Sequence, residues 1–304
     1  MQESMYKFMK VGIIHFMAYP EVMKGEGPIL ETLQKIAEDD FFTAVEVSWM
    51  KDKEIRRKAR ELLETSHLVV AYGAQPTLLV NQLDINSLEE EERRKAIQQL
   101  KDDVDEAYEL GAKALAFLSG KDPGEEKREK ALELLVSSTK EICDYAKEKG
   151  DLKIALEVFD RDIAKKCLIG PANLAKRYAE LVRKQCTNFG LMVDLSHLPL
   201  LGKSPEEAIL PIKDYIIHAH MGNCIVKDKN QVGYGDEHPR FGVKGGENDT
   251  AELVEYLKVL MEIGFLNPDN PPIVSFEVKP LPGESSEVVI ANAKRTLREA
   301  WARV

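Results

Sequence analysis

No stretch of this sequence approaches the ~18–20 consecutive apolar residues needed to cross a bilayer. A glycine-rich phosphate loop is also missing. After the first apolar segment, where G-x-G-x-x-G would stand in an open dinucleotide-binding sheet, the chain reads "IIHFMAYPEVMKGEGP". Cysteine is scarce: Cys143, Cys167, Cys186 and Cys224 are the four present, and none lies in a C-x-x-C pair. Their spacing suggests neither a zinc site nor a disulfide framework, so they read as idle thiols in a reducing compartment. Positive charge is in deficit, with 42 Lys and Arg against 52 Asp and Glu and a net charge of −10. Such a chain is a poor partner for nucleic acid or an anionic membrane, and neither is expected. The N-terminal stretch "MQESMYKFMKVGIIHF" has no basic segment leading into a long apolar core. We therefore expect a soluble, cytoplasmic protein.

What is present is alternation. Short apolar, β-branched runs predict strands at about 10–15, 43–48, 68–73, 114–119, 153–158, 189–194, 215–220 and 273–278. Charged amphipathic runs between them predict helices near 28–39, 52–66, 87–111, 125–149, 172–187, 204–212, 249–262 and 286–302. In the third helical run Ser87 is the expected N-cap, and Gly111 follows the expected end. Eight strands alternating with eight helices are the pattern of an α/β (β/α)8 TIM barrel. With no repeat, low-complexity tract or linker, one domain is expected over residues 1–304. The stretch 221–248 breaks the pattern. It is long, rich in glycine and charge, and it carries Tyr234, His238, Pro239, Arg240 and Phe241. A loop of that length is usually functional, and these residues suit an ordered lid.

The expected strand ends carry the chemistry. In "DYIIHAHMGN" an apolar strand ends with two histidines one residue apart, His218 and His220, in a chain that has only six. Residues at i and i+2 of a strand face the same way. The fifth strand ends with Glu157, the sixth with Asp194 followed by His197, and the eighth with Glu277. In a barrel these ends meet on one rim. A lone buried carboxylate is costly, and three together repel one another. A divalent cation resolves both problems. Three carboxylates and one imidazole suit Mn²⁺, Mg²⁺ or Co²⁺, with Zn²⁺ as an alternative.

The order Glu, Asp-x-x-His, His-x-His and Glu on strands five to eight resembles the xylose-isomerase-like barrel superfamily. That group includes ketose 3-epimerases, hydroxypyruvate isomerase, inosose dehydratase and endonuclease IV. "EVFDR" (Glu157 to Arg161) resembles the E-V-x-N-R segment of the ketose epimerases, and "DLSH" resembles their D-x-x-H. "HAHMGN" stands where many members have H-x-H-x-K-D, with Gly222 and Asn223 in place of Lys-Asp. The resemblance implies one divalent cation, Mn²⁺ in first place, held by Glu157, Asp194, His220 and Glu277. It implies a sugar isomerase or epimerase acting on a ketose or keto-sugar acid, with Glu157 and Glu277 moving the proton from opposite sides. A dehydratase of the inosose type is the alternative on the same site. An abasic-site endonuclease or a non-catalytic sugar-binding barrel comes after these. Six histidines and the acidic balance speak against the nuclease. Substrate contacts are expected from His197, His218, Arg161, His15, His238 and Arg240, with Glu46 supporting the ligands from strand two. The partner is a small carbohydrate, and the resemblance implies a homodimer or homotetramer.

Overall fold

The computed structural model describes residues 3–304. Eight strands form, β1 (Lys10–Ile13), β2 (Ala44–Val47), β3 (Val69–Gly73), β4 (Ala114–Leu118), β5 (Lys153–Glu157), β6 (Phe189–Asp194), β7 (Ile216–Gly222) and β8 (Ile273–Glu277). All pair in parallel in the order β1-β8-β7-β6-β5-β4-β3-β2. The remaining seam, between β1 and β2, is closed by the single parallel bridge Ile14 to Glu46. The sheet is thus a TIM barrel, and each strand lies where its apolar run predicts.

Outside the strands lie α1 (Ile29–Ala37), α2 (Lys53–Ser66), α3 (Glu90–Glu109), α4 (Glu125–Lys149), α5 (Ala172–Arg183), α6 (Pro205–Ile209), α7 (Thr250–Glu262) and α8 (Ser286–Trp301). The longer helices bury an apolar stripe. In α1, Ile29, Leu33 and Ile36 are buried at near-helical spacing, and burying each such side chain is worth roughly 1.5–3 kcal/mol. Asp52 caps α2 by accepting from the backbone N–H of Glu54 and Ile55. Capping boxes start α6 (Ser204 with Glu207) and α7 (Asp249 with Glu252). Ser87 does not cap α3. The helix begins at Glu90, and Ser87 Oγ instead accepts from the N–H of Glu89. Among the described residues no helix is long and apolar enough to cross a membrane.

Two local features position the site. The pairing of β6 with β7 slips by one residue, from Leu191–Ile216 to Met192–His218. The extra residue, Ile217, packs with Ala116, Ala155 and Met192. A Cβ on Gly190 would lie 2.5 Å from Ile217 Cγ2, so any larger residue there would have to displace Ile217. Beyond this bulge Asp194 lies directly opposite His220. The second feature is the stretch after β7, which is a packed rim element. Asn223 Oδ1 accepts from the N–H of Glu247 and Asn248, and its Nδ2 donates to Arg240 O. Ile225 bridges Gly235. This folding turns Asp236 and His238 inward, with His238 held at φ +49°. A non-glycine residue in that region marks a backbone the surroundings over-determine.

Candidate metal centre and active site

Glu157, Asp194, His220 and Glu277 meet at the C-terminal rim. One ligand atom from each lies within 4.8 Å of the others, and all four are buried. The strand register explains the meeting, because Asp194 pairs with His220 and Glu277 with Gly222 on neighbouring strands. His220 Nδ1 is 2.8 Å from Glu277 Oε2 and 3.7 Å from Glu157 Oε1. Glu157 Oε2 accepts from Gln75 Nε2 at 2.7 Å, while its Oε1 is buried without a hydrogen-bond partner. An orphaned carboxylate oxygen beside two more carboxylates and an imidazole is what a divalent cation needs. The residues therefore fit the ion expected from the sequence.

Glu46 stands behind the imidazoles. Its Oε1 is 3.1 Å from His220 Nε2 and 2.7 Å from His218 Nε2. Burial pushes the Glu46 carboxyl up, but His218 and His220 outweigh it and hold it well below its ordinary range. His218 thus packs against Glu46 in the barrel.

A second donor group adjoins the first. His197 Nδ1 is 3.0 Å from Val158 O, so it carries the proton and donates. Its Nε2 then faces Asp236 Oδ1 at 3.1 Å and Asp194 Oδ2 at 3.8 Å. His238 Nε2 lies 3.3 Å from Asp194 Oδ2, Asp236 Oδ1 and Glu277 Oε1. Lys165 Nζ reaches Asp236 Oδ2 at 2.7 Å. Burial alone would lower the pKa of both imidazoles. The carboxylates reverse this and raise His197 to about 10 and His238 to about 9. Burial raises Glu277, and the nearby Glu157 adds to that against the pull of His238. Asp194, His197 and His238 have ligand-type atoms within 4.8 Å of one another, but with both imidazoles protonated they form, with Asp236, a buried ion-pair network beside the first group.

Part of this cluster borders a cavity of about 180 Å³. Glu46, Glu157, His220, Asp236, His238 and Glu277 line it. Several expected substrate contacts lie elsewhere. His15 is buried and its Nε2 bonds Thr32 Oγ1 at 2.7 Å, because the chain turns into a short helix at His15 and carries the ring outward. Arg161 donates to Leu168 O and faces Asp122, and it lines a separate cavity of about 380 Å³ outside β5 and β6. Arg240 is paired with Glu284 at 2.9 Å on the outer surface. His197 lies behind Asp194 with its ring 4.3 Å from Phe159, outside the cavity lining. Of the six expected contacts, His238 lines the cavity. Gln75, Lys165 and Asp236 also line this cavity, and sequence reasoning did not single them out. The only local signal was the D-x-H spacing of Asp236 and His238 in the non-periodic loop.

A family model described as xylose isomerase-like TIM barrel matches residues 33–298. No curated protein matches the sequence. Among solved structures, one described as a D-tagatose 3-epimerase-like protein is 20% identical, covering 97% of this chain and 99% of its own at a TM-score of 0.70. An IolI protein with a bound zinc atom is 19% identical, with coverage of 97% and 99% and a TM-score of 0.74. D-psicose 3-epimerase with D-tagatose, from Clostridium cellulolyticum H10, is 19% identical, with coverage of 97% and 96% and a TM-score of 0.66. At these identities the likeness is one of fold.

Proposed function

The chain belongs to the xylose isomerase-like TIM barrel family, and on that premise we propose that it is a divalent-metal-dependent sugar isomerase or epimerase acting on a ketose or keto-sugar acid. The observation that carries this reading is the pair Glu157 and Glu277, both drawn to His220 Nδ1 at the cavity, with Glu157 Oε1 unpartnered. The similar solved structures of a D-tagatose 3-epimerase-like protein and a D-psicose 3-epimerase support the substrate class.

Glu157, Asp194, His220 and Glu277 would hold the cation, Mn²⁺ in first place, which supplies Lewis acidity to a substrate carbonyl when bound. The chain's own residues handle the proton. One of Glu157 and Glu277 removes it from the carbon beside the carbonyl, and the other returns it from the opposite side. Gln75 fixes the orientation of Glu157 through its 2.7 Å bond. Burial raises the Glu277 carboxyl above its ordinary range, and the neighbouring Glu157 adds to this against the pull of His238 and His220. Glu46 sets which nitrogen of His220 faces the carboxylates.

The test is a deuterium screen with Mg²⁺-loaded protein in D₂O, over ketoses, inososes and keto-sugar acids. Label at carbon with a new stereoisomer or aldose supports the reading. Label with loss of water moves it to a dehydratase. No label from any ketone, with metal shown to be bound, overturns it. A second reading, hydrolysis of a phosphate ester at a two-cation site, would need His197 and His238 as neutral ligands, whereas the surrounding carboxylates raise both. The net charge of −10 weighs against a polyanionic substrate.

A further inference from the structure

The cavity has two unlike walls. The loops after β5, β7 and β8 supply one aromatic side chain, Phe159, and the polar Lys165, Asp236, Glu237, His238 and Lys279. The loops after β1 and β3 supply Phe16, Met17, Met23, Pro76, Leu79 and Val80. Gln75, the polar side chain on this second wall, is turned to Glu157. Leu79 and Val80 are 45% and 40% exposed. Single exposed apolar side chains are ordinary, but Leu79 and Val80 are consecutive and line the same cavity as Met17 and Met23. The methionines can adapt their shape to what lies against them.

Resting on the proton-transfer reading above, we infer that the cavity takes an α-hydroxyketone whose carbonyl end is rich in oxygen and whose far end is apolar, rather than a sugar hydroxylated along its whole length. Hydroxyls laid against the buried Phe16, Met17 and Pro76 would leave water and find no partner. An alkyl group there removes its own surface and that of Leu79 and Val80 from water. On the other wall the polar groups already engage each other, Lys165 with Asp236 and Lys279 with Glu237. They offer little to a second row of hydroxyls.

The experiment compares two open-chain ketones with the same oxygen-bearing head, erythrulose and 1,3-dihydroxyhexan-2-one. Isothermal calorimetry with the Mg²⁺-loaded full-length protein gives affinity and heat-capacity change, and deuterium exchange at carbon is followed in parallel. The hexanone is expected to bind about tenfold or more tightly, with a more negative heat-capacity change. A Leu79→Ser/Val80→Ser variant should lose most of that advantage and keep the affinity for erythrulose. Both residues are half-exposed, so the variant should fold. Equal or tighter binding of erythrulose overturns the inference. A variant with unchanged ligand affinities that splits a dimer in sedimentation also overturns it, since the two side chains would then cover a second copy. If neither ketone exchanges but the hexanone binds tighter through Leu79 and Val80, the cavity inference holds and the proton-transfer reading falls.

Discussion

Glu46 Oε1 lies 3.1 Å from Nε2 of His220, across the barrel from strand two to strand seven. That contact leaves Nδ1 of the same ring facing Glu277 at 2.8 Å and Glu157 at 3.7 Å. A carboxylate behind a ligating imidazole fixes its tautomer and raises its basicity. Replacing Glu46 by Ala should therefore weaken divalent-cation affinity by roughly 10–100-fold, although Glu46 is not among the four expected ligands. Competition against a fluorescent chelator measures this. Wild-type affinity in the variant would remove Glu46 from the metal centre.

Glu157→Gln and Glu277→Gln keep shape and remove the base. Each should lower carbon-bound deuterium exchange by at least about 10²-fold. A variant that keeps the wild-type rate shows that the proton moves through another group.

Cation binding should also stabilise the fold. At a free ion concentration of 100 times Kd the gain is about 2.7 kcal/mol. Chelation should then lower the melting temperature by several degrees. In Asp194→Asn or His220→Ala the gap between loaded and chelated protein should shrink. A gap of unchanged size would place the stabilising ion elsewhere.

A buried acid away from the candidate metal centre should respond to pH. Asp103 Oδ2 is 2.7 Å from Thr77 Oγ1, which also lies 2.8 Å from Ala74 O. Thr77 has one hydroxyl proton, so when it donates to Ala74 the proton between Thr77 and Asp103 must come from Asp103. Burial raises this carboxyl to about 7. Because the folded-state value lies above the ordinary one, the protonated form belongs to the fold. Its stabilising contribution is complete below about pH 4 and is lost as pH rises through about 7. Asp103→Asn can donate to Thr77 at every pH. Its stability relative to wild type should climb by an amount on the order of 2–4 kcal/mol between pH 4 and pH 8. Urea unfolding at both pH values reads the difference, and a flat difference would mean that Asp103 is ionised throughout.

The β-strands and outer helices were legible because each carries its own period. A run such as "KIALEV" or "FGLMVD" has one way to bury its apolar side chains. The short helices His15–Ala18, Gln75–Val80 and His197–Leu200 were not legible, since fewer than two turns show no period. Two of them moved site residues, carrying His15 to Thr32 and bringing Gln75 to Glu157.

By itself the sequence determined the barrel and the four strand-end side chains Glu157, Asp194, His220 and Glu277. Charged groups ending apolar strands can only meet at a shared rim. Tertiary structure alone decided which other groups join them. Glu46 reaches His220 because closure of the sheet places strand two across from strand seven. Asp236 and His238 arrive because Asn223 and Asn248 fold the long loop inward through hydrogen bonds with no periodic signature. Arg161 and Arg240 turn away because Asp122 and Glu284 offer nearer carboxylates. Local burial periodicity is written along the chain, whereas these pairings depend on distances that exist only once the barrel has closed.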